Sequence, residues 1–207
     1  MEYRFVWTGF FTVFAALTFC SCSQNDKMRP PAVSFKIQKA PVVPRTPGQM
    51  GREVGIKVSY MPKNTYARKR ASSMRPRFIT IHSTANPKGD ANAHSRYLNS
   101  GKSRSLNWHF TVDQFGAYQH IPTTETGHHA DHSGPGDQYS VAIEMCECTT
   151  HNPVVIYNKT AKLAALLMKD GLKRFKAPLM TNGRPGYKWS WFISRVDYYY
   201  RCLQAGR

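Results

Sequence analysis

The chain has 207 residues, which is ample for one domain with a buried core and argues against two domains. Its hydrophobic fraction of 41% and aromatic fraction of 13% fit a globular body and exclude a wholly disordered chain. The formal net charge of +17 excludes an acidic protein and favours anionic partners, namely nucleic acid, anionic lipid or an acidic cell-wall polymer.

Residues 1–22 have the features of an export signal. Arg4 precedes an apolar run from Phe5 to Phe19, which is shorter than the roughly 20 residues that a membrane-spanning helix needs. The run ends at Cys20 and Cys22, and a cysteine directly after an apolar run resembles the lipobox of bacterial lipoproteins. Lipidation at Cys22, simple cleavage and an uncleaved anchor stay open. The segment predicts an exported bacterial envelope protein, in the periplasm or anchored to a membrane.

Residues 23–76 are predicted to form a basic, Pro-rich tether. Thirteen Lys or Arg residues lie between residues 23 and 77, with only two acids, Asp26 and Glu53. Charged, proline-rich sequence without apolar periodicity stays extended or disordered, although Glu53 to Tyr60 has the composition of a short strand. The tether would attract an anionic envelope polymer or a membrane surface.

Residues 77–207 are predicted to form an α/β domain with a mixed central β-sheet flanked by helices. Alternating and β-branched runs indicate the strands, whereas leucines and aromatics at helical spacing indicate the helices. Asp90 is a suitable N-cap for the first helix. In chain order, the predicted elements are a strand at 77–84, a helix at 90–99, a hairpin at 108–112 and 117–121, a loop at 127–138, a strand at 140–147, and helices at 159–175 and 188–203.

All eight histidines of the chain lie between His82 and His151. Histidine is the commonest metal ligand in proteins and the usual proton carrier near neutral pH. Their concentration within roughly seventy residues, on predicted strands and the loops between them, indicates a functional site rather than a solvated surface.

Six short motifs in this region resemble the zinc-dependent N-acetylmuramoyl-L-alanine amidases, the type 2 amidases that share a fold with animal peptidoglycan recognition proteins. Each motif is weak alone, but all six follow one another in the family's order and at sensible spacing. They are Ile79–His82, Ala93-His94, Trp108–Asp113, Gln119–Pro122, His129-Ala130 and Val141–Glu144.

The resemblance implies a peptidoglycan hydrolase that cleaves the amide between N-acetylmuramic acid and L-alanine of the stem peptide, in cell-wall turnover. Zinc is implied as the cofactor, with His82 at the position of the first metal ligand. Glu144 lies at the position of the general base. His129 matches a substrate-side histidine that donates to the oxyanion or the sugar–peptide junction. His109 is a second substrate-binding candidate near the groove, although this position favours a hydrogen-bonded core role.

This sequence departs from the family pattern between the last two helices, where the family carries its second and third zinc ligands. Lys173 to Met180 contains no His, Cys, Asp or Glu, and Ala177-Pro178 stands where Cys-Pro or Asp-Pro is expected. Only His82 carries over, so the zinc site is incomplete in this sequence. His129, a neighbouring loop residue or a cysteine thiolate are the conceivable substitutes.

The remaining cysteines and histidines receive weaker interpretations. Cys146, Cys148 and Cys202 are odd in number, which rules out a complete disulfide framework within the chain. Cys146 and Cys148 are favoured as small buried or edge thiols over metal ligands. The histidines without a site role are His94 and His120 (helix packing or surface), His128 and His132 (solvated loop), and His151 (no role).

Three functions are therefore compatible with the sequence. The first is an active, monomeric amidase with unconventional metal ligands. The second is a catalytically inactive relative that binds peptidoglycan through the retained groove. The third, a nucleic-acid or anionic-polymer binder, rests on charge alone, because the basic segment lacks interleaved aromatic residues and the body has no nucleic-acid motif.

Overall fold

The computed structural model describes Phe35, residues 40–171, the backbone of residues 173–174, and residues 188–206. The predicted signal segment 1–22 and the interval 175–187, which includes Ala177-Pro178, lie outside the described residues. Among the helices that are described, none combines the length and apolarity needed to cross a membrane.

The described part of the chain forms a six-stranded mixed sheet with helices on its faces, which confirms the predicted fold class. The strands lie side by side in the order β1-β4-β3-β5-β2-β6, and only the β3–β4 pair is antiparallel. The strands are β1 (Ile56–Val58), β2 (Phe78–Ser83), β3 (Phe110–Val112), β4 (Ala117–Gln119), β5 (Ser140–Met145) and β6 (Lys173–Arg174). The helices are α1 (Pro47–Val54), α2 (Tyr66–Lys69), α3 (Ala91–Asn99), α4 (Pro135–Tyr139), α5 (Pro153–Lys169) and α6 (Trp189–Ala205).

The central strands β2 and β5 separate an apolar face from a polar one. Successive side chains of a strand point to opposite faces, so in-register neighbours share a face. Ile81 pairs with Ile143 on the face that packs against α5 and α6, where Phe192 and Val196 are buried. His82 pairs with Glu144 on the opposite face. The sheet therefore places these two candidate residues next to each other.

Helix α5 begins at Pro153, six residues before the predicted start. Asn152 is its N-cap, with a side chain that accepts a hydrogen bond from the Val154 N–H, and proline at the first helical position is pre-organised for a helix. The helix ends at Lys169, before Gly171, which has a positive φ of 98°. The predicted end at Phe175 is therefore too late, because a left-handed glycine terminates the helix.

The prediction of a tether is wrong for residues 40–76, which belong to the domain. Thr46 and Gln49 form a capping box at the start of α1, and Met50 and Val54 have no exposed surface. Lys159 Nζ donates to the carbonyl oxygens of Glu53 and Val54, which ties α1 to α5. The short strand predicted within 53–60 is present as β1, paired in parallel with β4.

Two smaller predictions concern the loop 127–138 and the cysteines. The predicted loop contains the short helix α4, which begins directly after Gly134. Cys146, Cys148 and Cys202 are free, buried thiols, which confirms the favoured interpretation of Cys146 and Cys148. Burial raises the pKa of the Cys146 thiol, which disfavours the thiolate form that metals bind.

Candidate active site

Glu144 is a half-buried residue on the polar face of β5. Its Oε2 atom is shielded from solvent and has no hydrogen-bond partner among the described residues. Burial, assisted by the nearby charge of Glu147, raises the pKa of Glu144 to about 8. At neutral pH the group is therefore largely protonated, and it can exchange a proton with a reacting group near the working pH.

The Glu144 side chain lines an open groove with a volume of about 430 Å³. This volume lies within the range of small-molecule binding sites in proteins. The other lining residues mix aromatic, aliphatic and polar side chains, and they are Ser83, Thr84, Asn86, Ala93, His94, Tyr97, Leu106 and Trp108. The groove combines apolar contact surface with one carboxyl group whose pKa is strongly raised, that of Glu144. This is the arrangement expected of a catalytic cleft.

His82 and His129 contact each other beside Glu144. The Nε2 atom of His82 and the Nδ1 atom of His129 are 3.1 Å apart, and the two rings meet edge to face. Burial lowers the pKa of His82 to about 4, against an opposing effect of Asp137. Burial also lowers the pKa of His129 well below its ordinary value. Both imidazoles are therefore neutral at pH 7.

The loop that carries His129 is held by Asp137, a buried aspartate in α4. Its Oδ1 atom accepts the N–H groups of His129 and Ala130, each at 2.8 Å, and Oδ2 accepts the N–H of Ser133 at 2.9 Å. Gly127 lets the His129 ring lie against the backbone, because a Cβ there would lie 2.5 Å from Cδ2 of that ring. These contacts fix His129 in place opposite His82.

We expect Asp137→Asn to lower the free energy of unfolding by about 2–4 kcal/mol, since three backbone N–H groups would lose the charged acceptor that the buried carboxylate provides. For a domain of this size, that loss corresponds to a decrease of about 4–16 °C in the melting temperature. The matched control is Asp170→Asn, which neutralises an exposed aspartate at the C-terminal end of α5 and should change the melting temperature little. Equal melting temperatures for the two variants would contradict the structural role of Asp137.

His109 is fully buried, and both of its ring nitrogens are engaged. The N–H of Ala142 donates to Nδ1 at 3.0 Å, so Nε2 carries the proton and donates to the carbonyl oxygen of Glu125 at 2.9 Å. Burial lowers the pKa of His109 to about 4. These contacts support the core role and leave neither nitrogen for a substrate. A substrate-binding role for His109 therefore has no support in this geometry.

Trp108 lines the groove. The sequence motifs do not predict this role, because they indicate only that Trp108 lies in a strand. Its Nε1–H donates to Thr111 Oγ1 at 2.7 Å, and the same oxygen lies 2.8 Å from Nε2 of His120. The His94 and His120 rings each pack edge to face against Trp108. The interpretation of His94 as a packing or surface residue is incomplete, because it also lines the groove.

The other three histidines differ in exposure. His132 is exposed, as predicted, and has a left-handed backbone with φ of 51°. His128 is not simply solvated, because its backbone pairs with Asn107 and its Nε2 is shielded from solvent. His151 is buried and packs against Phe115. The sequence offers no signal that separates these environments, since they depend on contacts between distant residues.

The described residues do not supply a three-ligand metal site. Within the described ranges, no group of three His, Cys, Asp or Glu side chains is arranged to hold a metal ion. The sequence between Asp170 and Asp197 contains none of these residue types. His82 is therefore not accompanied by the second and third ligands that the resemblance implies.

Comparison with known proteins identifies relatives for this part of the chain. The sequence profile described as N-acetylmuramoyl-L-alanine amidase matches residues 72–182. The amidase CwlH of Bacillus subtilis is 36% identical over 141 residues, which cover 66% of this chain and 54% of CwlH. The amidase XlyA of the same organism is 47% identical over 78 residues, which cover 36% of this chain and 26% of XlyA. The chain thus spans about a quarter to a half of these curated relatives.

Solved structures show the same similarity in three dimensions. A mutant endolysin from Bacillus subtilis has 31% sequence identity and a TM-score of 0.63, and the match covers 69% of this chain and 99% of that one. The catalytic domain of XlyA has 30% identity, with the same TM-score and the same coverage. Staphylococcus aureus AmiA shares the fold at 16% identity and a TM-score of 0.59, with 86% of this chain and 96% of that one covered.

Proposed function

Because the chain belongs to the N-acetylmuramoyl-L-alanine amidase family, we propose that it hydrolyses the amide bond between N-acetylmuramic acid and L-alanine of peptidoglycan. The observation that carries this proposal is the placement of Glu144. This half-buried residue lines the groove and pairs in register with His82, within the segment that matches the family. Peptidoglycan is accordingly the proposed substrate and main partner.

Glu144 is suited to move the proton that amide hydrolysis requires. The oxygen of a water molecule bonds to the amide carbon, the carbon–nitrogen bond breaks, and the leaving amine takes up a proton. A carboxyl group with a pKa of about 8 can accept the water proton in its ionised form and return it to the amine. His82 and His129 remain neutral at the same pH, so they can donate or accept hydrogen bonds beside it.

The groove walls are suited to a sugar–peptide junction. Trp108 and Tyr97 provide aromatic surface for the apolar face of a sugar or for the alanine methyl group, whereas Asn86 provides hydrogen-bonding groups. Trp108 is fixed by its hydrogen bond to Thr111, so little side-chain freedom is lost on binding.

Zinc is the cofactor that family membership implies for this reaction. When bound, zinc would polarise the scissile carbonyl group and lower the pKa of a bound water. The described residues do not supply the three ligands that a catalytic zinc normally has, so zinc dependence is a separate proposal.

The test is the release of free stem peptides from purified peptidoglycan by the full chain, followed by mass spectrometry. Products with a new L-alanine amino terminus are expected, and parallel reactions with added zinc and with chelator measure the metal requirement. Protein that co-sediments with peptidoglycan but releases no peptide would overturn the proposed activity in favour of an inactive binding protein.

We propose further that the protein is exported and acts in the bacterial envelope, in the periplasm or as a membrane-anchored lipoprotein. Residues 1–22 support this, because Phe5 to Phe19 has the length of a signal-peptide core and is followed by Cys22. Metabolic labelling with an azido-palmitate probe should mark the wild type and not Cys22→Ser if Cys22 is lipidated. Recovery of the unprocessed chain in the cytoplasmic fraction would contradict export.

We also propose that the basic residues of segment 23–76 add attraction to anionic envelope polymers or membrane surfaces, without specific recognition of nucleic acid. The chain is proposed to act as a monomer. Sedimentation with cell walls at increasing salt tests the attraction, because binding through exposed charge weakens as salt screens it.

A further inference from the structure

Thr84 lines the groove together with Glu144 and directly follows the last residue of β2. Its N–H donates to the carbonyl oxygen of Met145 at 3.0 Å, so the pairing of β2 with β5 continues one residue beyond the strand. Alternate side chains of a strand point to the same face, so Thr84 follows His82 on the polar face. The backbone therefore places the Thr84 hydroxyl beside the Glu144 carboxyl group.

The hydroxyl group of Thr84 has a proton available for a ligand. The N–H of Glu147 donates to Thr84 Oγ1 at 3.3 Å. A hydroxyl carries one proton and two lone pairs, so this bond occupies a lone pair and leaves the proton unused. Among the described residues, no acceptor is bonded to that proton. Because Thr84 is half-buried at the groove wall, its hydroxyl can donate to a substrate there.

The residues on both sides of Thr84 are held in place. Ser83 donates a hydrogen bond from its hydroxyl to the Glu147 carboxylate. Ala85 has a positive φ of 54°, a conformation that residues other than glycine rarely adopt. Such strain persists only where the surrounding structure imposes it, and it is concentrated at functional sites. Thr84 is therefore a preorganised donor, which is the kind that stabilises developing charge effectively.

Amide hydrolysis places a negative charge on the carbonyl oxygen. When the oxygen of water bonds to the amide carbon, an electron pair of the C=O bond moves to the carbonyl oxygen, and Glu144 takes the proton of the water. The carbonyl then re-forms, the carbon–nitrogen bond breaks, and Glu144 returns the proton to the leaving amine. A donor at the carbonyl oxygen accelerates the reaction, because its hydrogen bond is stronger in the transition state than in the bound substrate.

We propose that the Thr84 hydroxyl is this donor and that it hydrogen-bonds the oxygen of the scissile carbonyl as negative charge develops. The inference rests on the proposed function, because it assigns a further catalytic residue to the same groove. The family resemblance implied His129 for this role. His129 is not among the residues that line the groove, and its Nδ1 atom lies 3.1 Å from Nε2 of His82.

The experiment compares the full chain with its Thr84→Val and Thr84→Ser variants. The substrate is a set of soluble muropeptides prepared from peptidoglycan with a muramidase, and peptide release gives kcat and KM. Valine has the shape of threonine without the hydroxyl, so kcat should fall by about 100-fold, the lower end for removal of one oxyanion donor. KM should change little, because the hydrogen bond acts mainly in the transition state. Serine keeps the hydroxyl and should keep most of the activity.

The matched control is Thr126→Val. Thr126 Oγ1 also accepts a backbone N–H, that of Ser72 at 2.9 Å, but Thr126 does not line the groove. This control removes the same group and the same type of hydrogen bond, and its kcat should stay near the wild-type value. Melting temperatures show whether each variant is folded under the assay conditions.

The pH dependence of kcat/KM separates a donor from a structural support. The valine variant leaves the Glu147 N–H without this acceptor, and the charge of Glu147 acts on the pKa of Glu144. An indirect effect through Glu144 would therefore shift the pH profile. Loss of a donor would lower the rate by the same factor at every pH, because a hydroxyl does not titrate in this range.

A large loss of kcat in Thr84→Val that serine restores, with an unshifted pH profile, would support the donor role. Wild-type turnover in the folded valine variant, no recovery with serine, or a shifted profile would overturn that role and leave the proposed function standing. No peptide release by the wild-type chain would overturn the proposed function and the donor role with it.

Discussion

Glu144→Gln is expected to reduce the release of stem peptides from peptidoglycan by at least about 100-fold, the lower end of what a positioned general acid–base group contributes. Glutamine has nearly the same shape as glutamic acid, but its amide cannot accept the proton of water or return it to the leaving amine. Because Glu144 is largely protonated at pH 7, the exchange for a neutral amide should leave the fold intact. The measurement is the initial rate of peptide release at equal protein concentration.

The matched control for this variant is Glu147→Gln. Glu147 lies just beyond the end of the same strand, accepts a hydrogen bond from Ser83 Oγ, and does not line the groove. Its removal should change the rate only by its small effect on the pKa of Glu144. Turnover by Glu144→Gln at the rate of this control would refute the catalytic role of Glu144.

The free energy of unfolding is expected to fall by several kcal/mol between pH 6.5 and pH 5. Burial lowers the pKa of His82 and His109 to about 4 and that of His120 to about 3, whereas unfolded histidine titrates near 6.5. In this range the unfolded chain binds more protons than the folded chain, so stability falls as the pH falls. Each histidine contributes up to about 1.4 kcal/mol per pH unit and Glu144 offsets about one such contribution, so the net loss of about 3 kcal/mol is a large share of the 5–15 kcal/mol stability of a typical domain.

Glu144 has the opposite effect between pH 4.5 and pH 8, so it offsets part of the histidine effect below pH 6.5 and dominates above it. Its pKa is raised to about 8 in the folded state, so the folded chain keeps a proton that the unfolded chain loses near pH 4.5. Stability from this group is therefore lost as the pH rises toward 8. The two effects together predict a maximum of stability near pH 6.5, which urea unfolding in the presence of chelator can locate.

Two variants separate the contributions to this profile. Glu144→Gln should abolish the decline between pH 6.5 and pH 8 and make the acid decline steeper, because the opposing effect of Glu144 is removed. His132→Asn removes an exposed imidazole and should leave the whole profile unchanged. A wild-type free energy of unfolding that stays constant between pH 6.5 and pH 5 would contradict the burial of neutral histidines.

The amino-acid sequence by itself predicts the strands and helices that show a regular periodicity of apolar residues. The strands at Phe78–Ser83 and Ser140–Met145 and the final helix follow from alternation and helical spacing over six or more residues. The ordered motifs around His82 and Glu144 likewise indicate the family by their residues and spacing alone. These features are accessible because each depends on residues close together in the chain.

The tertiary structure decided the features that depend on distant residues. Helix α1 lies in a segment whose composition predicts a tether, and its contact with Lys159 of α5 holds it against the domain. The contact between His82 and His129 joins residues 47 positions apart. The pKa of Glu144 depends on burial beneath the groove. The local sequence pattern identifies the candidate site residues. Only the folded structure sets the distances between their side chains and the burial that shifts their pKa values.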